Sequence, residues 1–596
     1  LLASEFPVAA LLLALALALA GCRRAPTFSA DIAPLVYRRC APCHRPGEAG
    51  PFSLITYDDV SRRAAQIARV TRSRFMPPWK PLPGFVAYAH ERRLADDEIA
   101  LLARWAQAGA PVGERDKIPP PPSWPVGWQL GKPDLVVTLP QPWTLPADGR
   151  DVYRNLVIAA PLVPEPRFVT AWELRPGSRT VHHAILNVDR TGWARAHDGS
   201  DGKPGFPGMD PGDIQAPDGF YLVWTPGQAP TPPAEGMSWP LDDHTDLVLQ
   251  LHMQPSGKVE TVQPTIGLYF GAAPTQPRFT LRIGDMPIDI NPGDSHYVAH
   301  DEYTLPAALT VLSLFPHAHY LAQKMRSWAT LPDGKKLWLL AIDDWDPAWQ
   351  EDYVLQTPLS LPRGTKLEME FVYDNSVSNI RNPNHPPARV QTGERSVDEM
   401  GNITFSVAVA STADKAALRE GKYRRQLAMN DTARAHYNLG NALADEKRRD
   451  EAVGEYRRAL ALDAGLVPAR MNLGVALLAL GQAQAAANEL AIVVRALPAS
   501  APAHLNLGMA RAALRDDKGA IGEYRRAVTL DPRFAPAHLQ LGLALRAQGD
   551  SDGARRELET VLSIDRGRPG GPGEPGRPGG PSADAARAAL ATLPRP

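Results

Sequence analysis

Cys40-Ala41-Pro42-Cys43-His44 places two thiols three residues apart, with a histidine directly after the second. That spacing is the attachment pattern of a c-type haem, in which the thiols add to the porphyrin vinyl groups and the histidine, His44, ligates the iron. The sixth ligand has to come from a downstream loop. Met76, in Phe75-Met76-Pro77-Pro78-Trp79, is the expected one, because the prolines keep that segment extended; His90 is the rival. A thioether there raises the potential and suits electron transfer. A second set of candidate ligands is made of histidines: His182-His183, His252 and His317-Ala318-His319. Residues two apart project from one face of a strand, so His317 and His319 can converge on one ion without distortion. His182 and His183 would point to opposite faces, and joint ligation requires a bulge or a strand end there. Nitrogen ligands leave zinc and copper in competition, and Met400, in Asp398-Glu399-Met400-Gly401-Asn402, shifts the balance to copper because a thioether suits Cu(I). Taken alone, that methionine also reads as core. A non-haem iron site of two histidines and a carboxylate, Asp398 or Glu399, is the alternative.

These side chains must be positioned by several units. A chain of 596 residues implies roughly three to five domains. Apolar residues at 44% and charged residues at 22% exclude wholesale disorder and a polytopic membrane protein. A net charge of -1 removes nucleic-acid binding from consideration. The 60 prolines favour loop-rich β architecture, and three cysteines are too few for a disulfide scaffold. The third cysteine, Cys22, follows the apolar run Val8–Ala20, which has the length of a signal h-region rather than of a membrane span. Leu19-Ala20-Gly21-Cys22 resembles a bacterial lipobox, so residues 1–21 are read as a signal peptide and Cys22 as the lipidated residue. The run lacks an initiator Met and a basic segment before it, and the start is read as truncated. The expected location is the periplasm or outer membrane of a bacterium, as a lipoprotein.

Residues 22–115 are read as a small all-α haem domain. It ends in a helix over Asp96–Ala108, with Leu101, Leu102 and Trp105 on one face, which resembles the last helix of a small cytochrome c. A proline-rich linker, 116–130, follows. From 131 to 410 short β-type runs such as Asp134–Leu139, Leu247–His252 and Leu309–Phe315 alternate with Gly, Pro and Asp clusters, as in all-β sandwiches. Beyond residue 410 alanine and leucine dominate. Asn438-Leu439-Gly440, Asn472-Leu473-Gly474, Asn506-Leu507-Gly508 and Gln540-Leu541-Gly542 recur every 34 residues, each glycine followed twelve later by Ala452, Ala486, Ala520 or Ala554. This resembles the tetratricopeptide helix–turn–helix repeat, and 411–565 is expected to be an α-solenoid that docks a protein partner. A Gly/Pro-rich tail, 566–596, ends the chain.

The order His-His, strand-end His, His-x-His and Glu-Met resembles the type II, ascorbate-dependent copper monooxygenases, the peptidylglycine α-hydroxylating and dopamine β-hydroxylating family. The resemblance covers roughly 131–410. It implies two tandem jelly-roll β-sandwiches, 131–285 and 286–410, and two copper ions. His182, His183 and His252 would hold the electron-transfer copper; His317, His319 and Met400 would hold the catalytic, O2-activating copper. Tyr373-Asp374-Asn375 and Asn382-Pro383-Asn384 look like motifs of a bacterial branch. In the peptide-amidating members an Arg two residues before the His-x-His and a Tyr four after the Met clamp a substrate carboxylate. Here those positions are Phe315 and Thr404, while Asn402 matches the clamp's third member. The substrate expected beside Phe315 and Asn402 is therefore apolar or neutral rather than a peptide carboxylate.

The implied activity is hydroxylation of a C–H bond of a small organic substrate by O2. Electrons from an external donor would enter at the haem and pass to the first copper and then to the second. Tethering the haem raises the effective concentration of reductant. A non-catalytic copper/haem electron carrier or sensor on a repeat scaffold is the alternative of a different class.

Overall fold

The computed structural model describes residues 24–594 apart from 49, 125–126, 164, 209–213, 215, 233–235, 285, 394 and 567–580. The signal-type run and Cys22 lie outside the described residues. Four units follow one another: a small helical one, two antiparallel β units, and a helical array.

In the first unit the helices Ala33–Arg39, Tyr57–Ser61, Ala64–Arg72 and Asp96–Gln107 surround Phe28, Ile32, Val36, Leu102 and Trp105. Local chemistry sets their ends. Thr56 and Asp59 form a reciprocal capping box. Asp96, Asp97 and Glu98 crowd the first turn of the last helix, where negative charge meets the positive dipole end. The reading of 22–115 as one body needs a correction. Residues 79–89 leave it and join the second β unit, where Trp79 and Tyr88 enter the core. Their backbone adds to sheet edges there: Leu82 N–H donates to the Ala341 carbonyl at 2.7 Å and Ala89 N–H to Val354 at 2.8 Å.

The first β unit pairs a four-stranded sheet (Leu135–Thr138, Thr265–Gly271, Arg167–Arg175, Trp239–Leu241) with a five-stranded one (Phe206–Pro207, Val152–Ile158, Asp246–Met253, Val181–Asp189, Leu222–Trp224). Leu186, Leu249, Leu251, Trp239 and Leu268 fill the space between them. The second unit pairs Arg278–Gly284, Gly401–Ala408, Leu309–Ala318 and Tyr353–Leu361 with Tyr297–Thr304, Lys366–Tyr373, Ala322–Thr330 and Lys336–Ile342. Its core holds Leu281, Leu314, Phe371 and Phe405. The expected division at 285/286 moves, because Arg278–Gly284 pairs residue for residue with Asn402–Ala408 and so belongs to the second unit. Asp246–Met253 and Gly401–Ala408 are buried at every position. Both faces of each central strand are covered, which explains why polar residues there, His252 and Asn402 among them, are out of solvent.

Beyond Thr412–Met429 four helix pairs stack: Ala433–Asp445 with Arg449–Leu462, Val467–Ala479 with Ala483–Ala496, Ala501–Ala513 with Asp517–Leu530, and Ala535–Ala547 with Ser551–Arg566. The repeated glycine is demanded by close approach: a Cβ on Gly440 would lie 2.6 Å from the Tyr456 ring, and one on Gly508 2.5 Å from Tyr524. The array is fastened to the second β unit by Leu418, fully buried in that unit's core, and by the Arg425–Asp301 ion pair. Among the described residues no helix is long and apolar enough to cross a membrane.

Candidate functional site

Three groups of chemistry-bearing residues meet where the first three units touch. Cys40, Cys43, His44 and Met76 all line one cavity, with apolar walls from Phe52, Leu54, Ile67 and Val70. His90 is exposed and does not line it. Cys40 and Cys43 form no disulfide, and burial pushes the Cys40 thiol up to about 12. His44 Nδ1 lies 3.1 Å from the Phe52 carbonyl. A carbonyl only accepts, so Nδ1 carries the proton and Nε2 keeps a lone pair for a metal. Burial pulls the His44 pKa down, with the Phe52 carbonyl opposing, which favours that neutral ring. Gly50 packs so tightly on this histidine that a Cβ there would sit 2.7 Å from Nδ1. Two thiols, a lone-pair nitrogen and a thioether around an apolar cavity fit a c-type haem.

The second group shows what the sequence could only state as a condition. The ladder between Val181–Asp189 and Asp246–Met253 runs Val181↔Met253 and then His183↔His252, so His182 is the extra residue of a bulge. The bulge turns His182 to the same side as its neighbour. The three Nδ1 atoms converge: His183 lies 3.4 Å from His182 and 3.4 Å from His252. Two nitrogens bound at about 2.0 Å to one tetrahedral or trigonal ion stand roughly 3.3–3.5 Å apart. His252 Nε2 donates to Asp151 Oδ2 at 2.9 Å, which leaves its Nδ1 for the ion. Burial, then the neighbouring His252, lowers His182 to about 4, and His183 is driven well below the ordinary range by the same two causes. A trio of imidazoles with inward lone pairs is a donor set that fits copper or zinc.

His317 and His319 face this trio, and charge on either would depress His183 further. Their rings are 5.3 Å apart and perpendicular. Each is fixed through Nδ1: His317 against Gln350 Oε1 at 2.6 Å, His319 against the Asp398 carbonyl at 2.9 Å. Both Nε2 atoms are thereby left for an ion. Burial first, then His319, takes His317 down to about 3. Gly401–Ala408 runs antiparallel to the His-x-His strand, with Ala318 opposite Gly401, so Met400 stands one step on, across from His319. Glu399 is fully buried and accepts three backbone N–H groups, from His319 at 2.5 Å and from Leu321 and Met400 at 2.9 Å. Its oxygens are occupied, and Asp398 is taken by the Arg395 guanidinium at 2.6 Å. Among the described residues no carboxylate joins His317 and His319 as a third ligand.

Phe315 is 5% exposed and packs on Tyr221 of the first β unit at 5.5 Å, while Asn402 is 3% exposed and opposite His317. The two family-like motifs brace the site: Tyr373 OH donates to the Met400 carbonyl at 2.9 Å, and the Asn382 amide to Asn375 Oδ1 at 2.9 Å. Sequence reasoning missed Asp151 and Gln350, which orient His252 and His317. Neither carried a motif, since each acts from a loop far away in the chain. It also missed Ser396, whose hydroxyl donates to Asp151 at 2.9 Å and so ties the second unit to the first site.

Comparison with known proteins bears on the helical array. Residues 433–465 and 535–568 match tetratricopeptide repeat families. No curated protein matches the chain. The crystal structure of MamA is similar over 26% of this chain and 96% of that one, at 21% identity and a TM-score of 0.24. MamA 41-end from Desulfovibrio magneticus RS-1 is similar over 26% and 98%, at 26% identity and 0.23. The first TPR of Spaghetti (RPAP3), bound to an HSP90 peptide, is similar over 20% and 94%, at 23% identity and 0.20. The C-terminal region of this chain is an array of tetratricopeptide repeats.

Proposed function

We propose that the chain is an exported copper-dependent monooxygenase that hydroxylates a C–H bond of a small organic substrate with O2, using electrons from its own c-type haem. The first unit is then a cytochrome c domain and the two β units are the tandem jelly-roll sandwiches of the type II copper family. One observation carries this reading: three inward-facing Nδ1 atoms at ligand spacing, set against a second imidazole pair that a methionine strand borders. Cys40, Cys43, His44 and Met76 would hold the haem; His182, His183 and His252 the first copper; His317, His319 and Met400 the second. Copper supplies one-electron chemistry and O2 activation, and haem stores the reducing equivalent.

The chain's own residues do the positioning. Asp151, Gln350 and the Asp398 carbonyl each hold a histidine tautomer so that the free nitrogen faces the ion. With His317, His319 and Met400 as its protein ligands, the second copper would have room to bind O2. Desolvation favours the neutral rings of His182 and His317. The repeats dock a protein partner, the run before Cys22 exports the chain, and lipid on Cys22 anchors it.

Metal analysis and turnover test the proposal together. Copper-loaded, pre-reduced protein consumes O2, reoxidises its haem and places oxygen-18 from the gas in the product. Iron in place of copper, or no oxygen-dependent haem reoxidation, overturns it. Reoxidation without label in any product favours the electron-carrier alternative.

A further inference from the structure

We infer that Arg92 is a positioning residue for the haem's sixth ligand, pinning the segment that follows Met76 to both β units. This deepens the functional reading above and rests on it. Upstream of its side chain Met76 is fixed. Its N–H donates to the Val70 carbonyl at 3.1 Å, and Phe75 before it meets the Trp349 ring edge-on at 6.0 Å. Downstream, Pro77 and Pro78 carry no N–H, so the backbone there offers only carbonyls as handles. Arg92 takes the Pro78 carbonyl with two nitrogens, Nη2 at 3.1 Å and Nε at 3.3 Å. Its Nη1 donates to the Gly227 carbonyl of the first β unit at 3.4 Å and to Glu351 Oε1 of the second at 2.9 Å. Nη2 also donates to Glu351 Oε2 at 2.5 Å. All five N–H groups of the guanidinium are thereby used.

The course of the chain explains why this residue can do it. The stretch 79–89 leaves the helical unit for the core of the second β unit, and Leu94 is back in the helical core. Pro78 stands at the departure and Arg92 at the return, so their contact closes the excursion. Gly227 supplies the other wall. Its carbonyl stands 3.9 Å from Cys43 Sγ, and a Cβ on it would lie 3.3 Å from that sulfur. Arg92 and Gly227 both line the cavity, so the attachment cysteine and the Met76 segment are referred to one guanidinium. Glu351 is 8% exposed, and a bidentate guanidinium on a buried carboxylate is a stronger tie than a surface ion pair. A lysine at 92 would meet the carboxylate as a point charge, without the planar fork that spans it and two carbonyls.

The test uses the full haem-bearing chain in its ferric form, with imidazole as the probe and the Soret band as the readout. It is run above the value of about 7 to which burial pushes the Glu351 carboxyl, so that the pair is ionised. Imidazole takes the position that Met76 vacates, so tighter imidazole binding means a weaker hold by Met76, and Met76→Ala sets the upper limit. Arg92→Met is expected to tighten imidazole binding by about tenfold or more and to dim the charge-transfer band of methionine-ligated ferric haem. Arg92→Lys is expected to fall between Arg92→Met and wild type. Arg92→Met alone leaves a buried carboxylate without its partner, so Arg92→Met with Glu351→Leu is measured beside it and carries the test if the single variant does not fold. The double variant is expected to keep the tighter binding. Tyr88→Phe breaks a 2.7 Å bond to the Leu339 carbonyl in the same excursion, outside the cavity lining. It is expected to leave imidazole binding within about twofold of wild type. Wild-type binding in Arg92→Met or in the double variant, or an equal tightening in Tyr88→Phe, overturns the positioning role and leaves the monooxygenase reading intact. Imidazole binding no tighter in Met76→Ala than in wild type removes Met76 as the ligand, and a chain without a haem c spectrum overturns both readings.

Discussion

His252 and Asp151 are joined at 2.9 Å through the imidazole Nε2, and the same carboxylate oxygen accepts the Ser396 hydroxyl from the neighbouring β unit at 2.9 Å. One acid thus sets the tautomer of a candidate ligand and binds the two units beside it. Asp151→Ala frees the ring and removes that bridge. Copper affinity at the His182/His183/His252 centre is expected to fall by about 10–100-fold. Competition with a cuprous chelator measures it, and an unchanged affinity would show that burial alone orients the ring.

Glu399 holds the His-x-His strand and the Met400 strand by accepting three buried N–H groups. Glu399→Ala leaves those donors without a partner, at about 1–3 kcal/mol each before any water enters. A loss of roughly 3 kcal/mol or more in the unfolding of the β units is the expected result. Denaturant unfolding followed by tryptophan fluorescence reads this region well, since all 13 tryptophans lie at or before Trp349.

Gly508→Ala separates two effects on one helix. Alanine gains about 1 kcal/mol of helix propensity over glycine. The new Cβ, however, would meet the Tyr524 ring at 2.5 Å, and overpacking costs about 1–3 kcal/mol. The net expectation is destabilisation of the repeats by Gly508→Ala in the wild-type background, and no such cost when the same substitution is made in a Tyr524→Ala background, which is itself destabilised. Circular dichroism melts of wild type, the two single variants and the double variant decide it.

His538 makes the repeats sensitive to pH. Burial alone would lower its pKa, but hydrogen bonds to Glu557 at 2.6 Å and to the Pro532 carbonyl at 3.0 Å, together with the Glu557 charge, raise it above 6.5. A histidine with a raised folded pKa stabilises fully below its unfolded value, and the contribution disappears as pH rises through the folded one. The stability difference between wild type and His538→Gln is therefore expected to be larger at pH 6 than at pH 9. Equal differences at both values would mean that the pair carries no proton-linked stability.

Much of the arrangement could be read along the chain because it is periodic or local. The glycine of each repeat, the Cys-x-x-Cys-His run and the His-x-His pair are short-range patterns, and their geometry follows from helix or strand period. The course of residues 79–89 could not be read that way. Trp79 and Tyr88 look like part of the helical unit in sequence but fill the core of the second β unit. The strand Arg278–Gly284 likewise changed units, since only pairing with Gly401–Ala408 shows to which sheet it belongs.

The residue types alone determined which atoms could bind metal and that imidazoles, thiols and thioethers would supply them. Whether His182 could share an ion with His183 was decided in three dimensions, by one extra residue in the ladder against Asp246–Met253. The supports of the ligands, Asp151 and Gln350, were decided there too, because hydrogen bonds between distant loops depend on how sheets stack and leave no period in the chain.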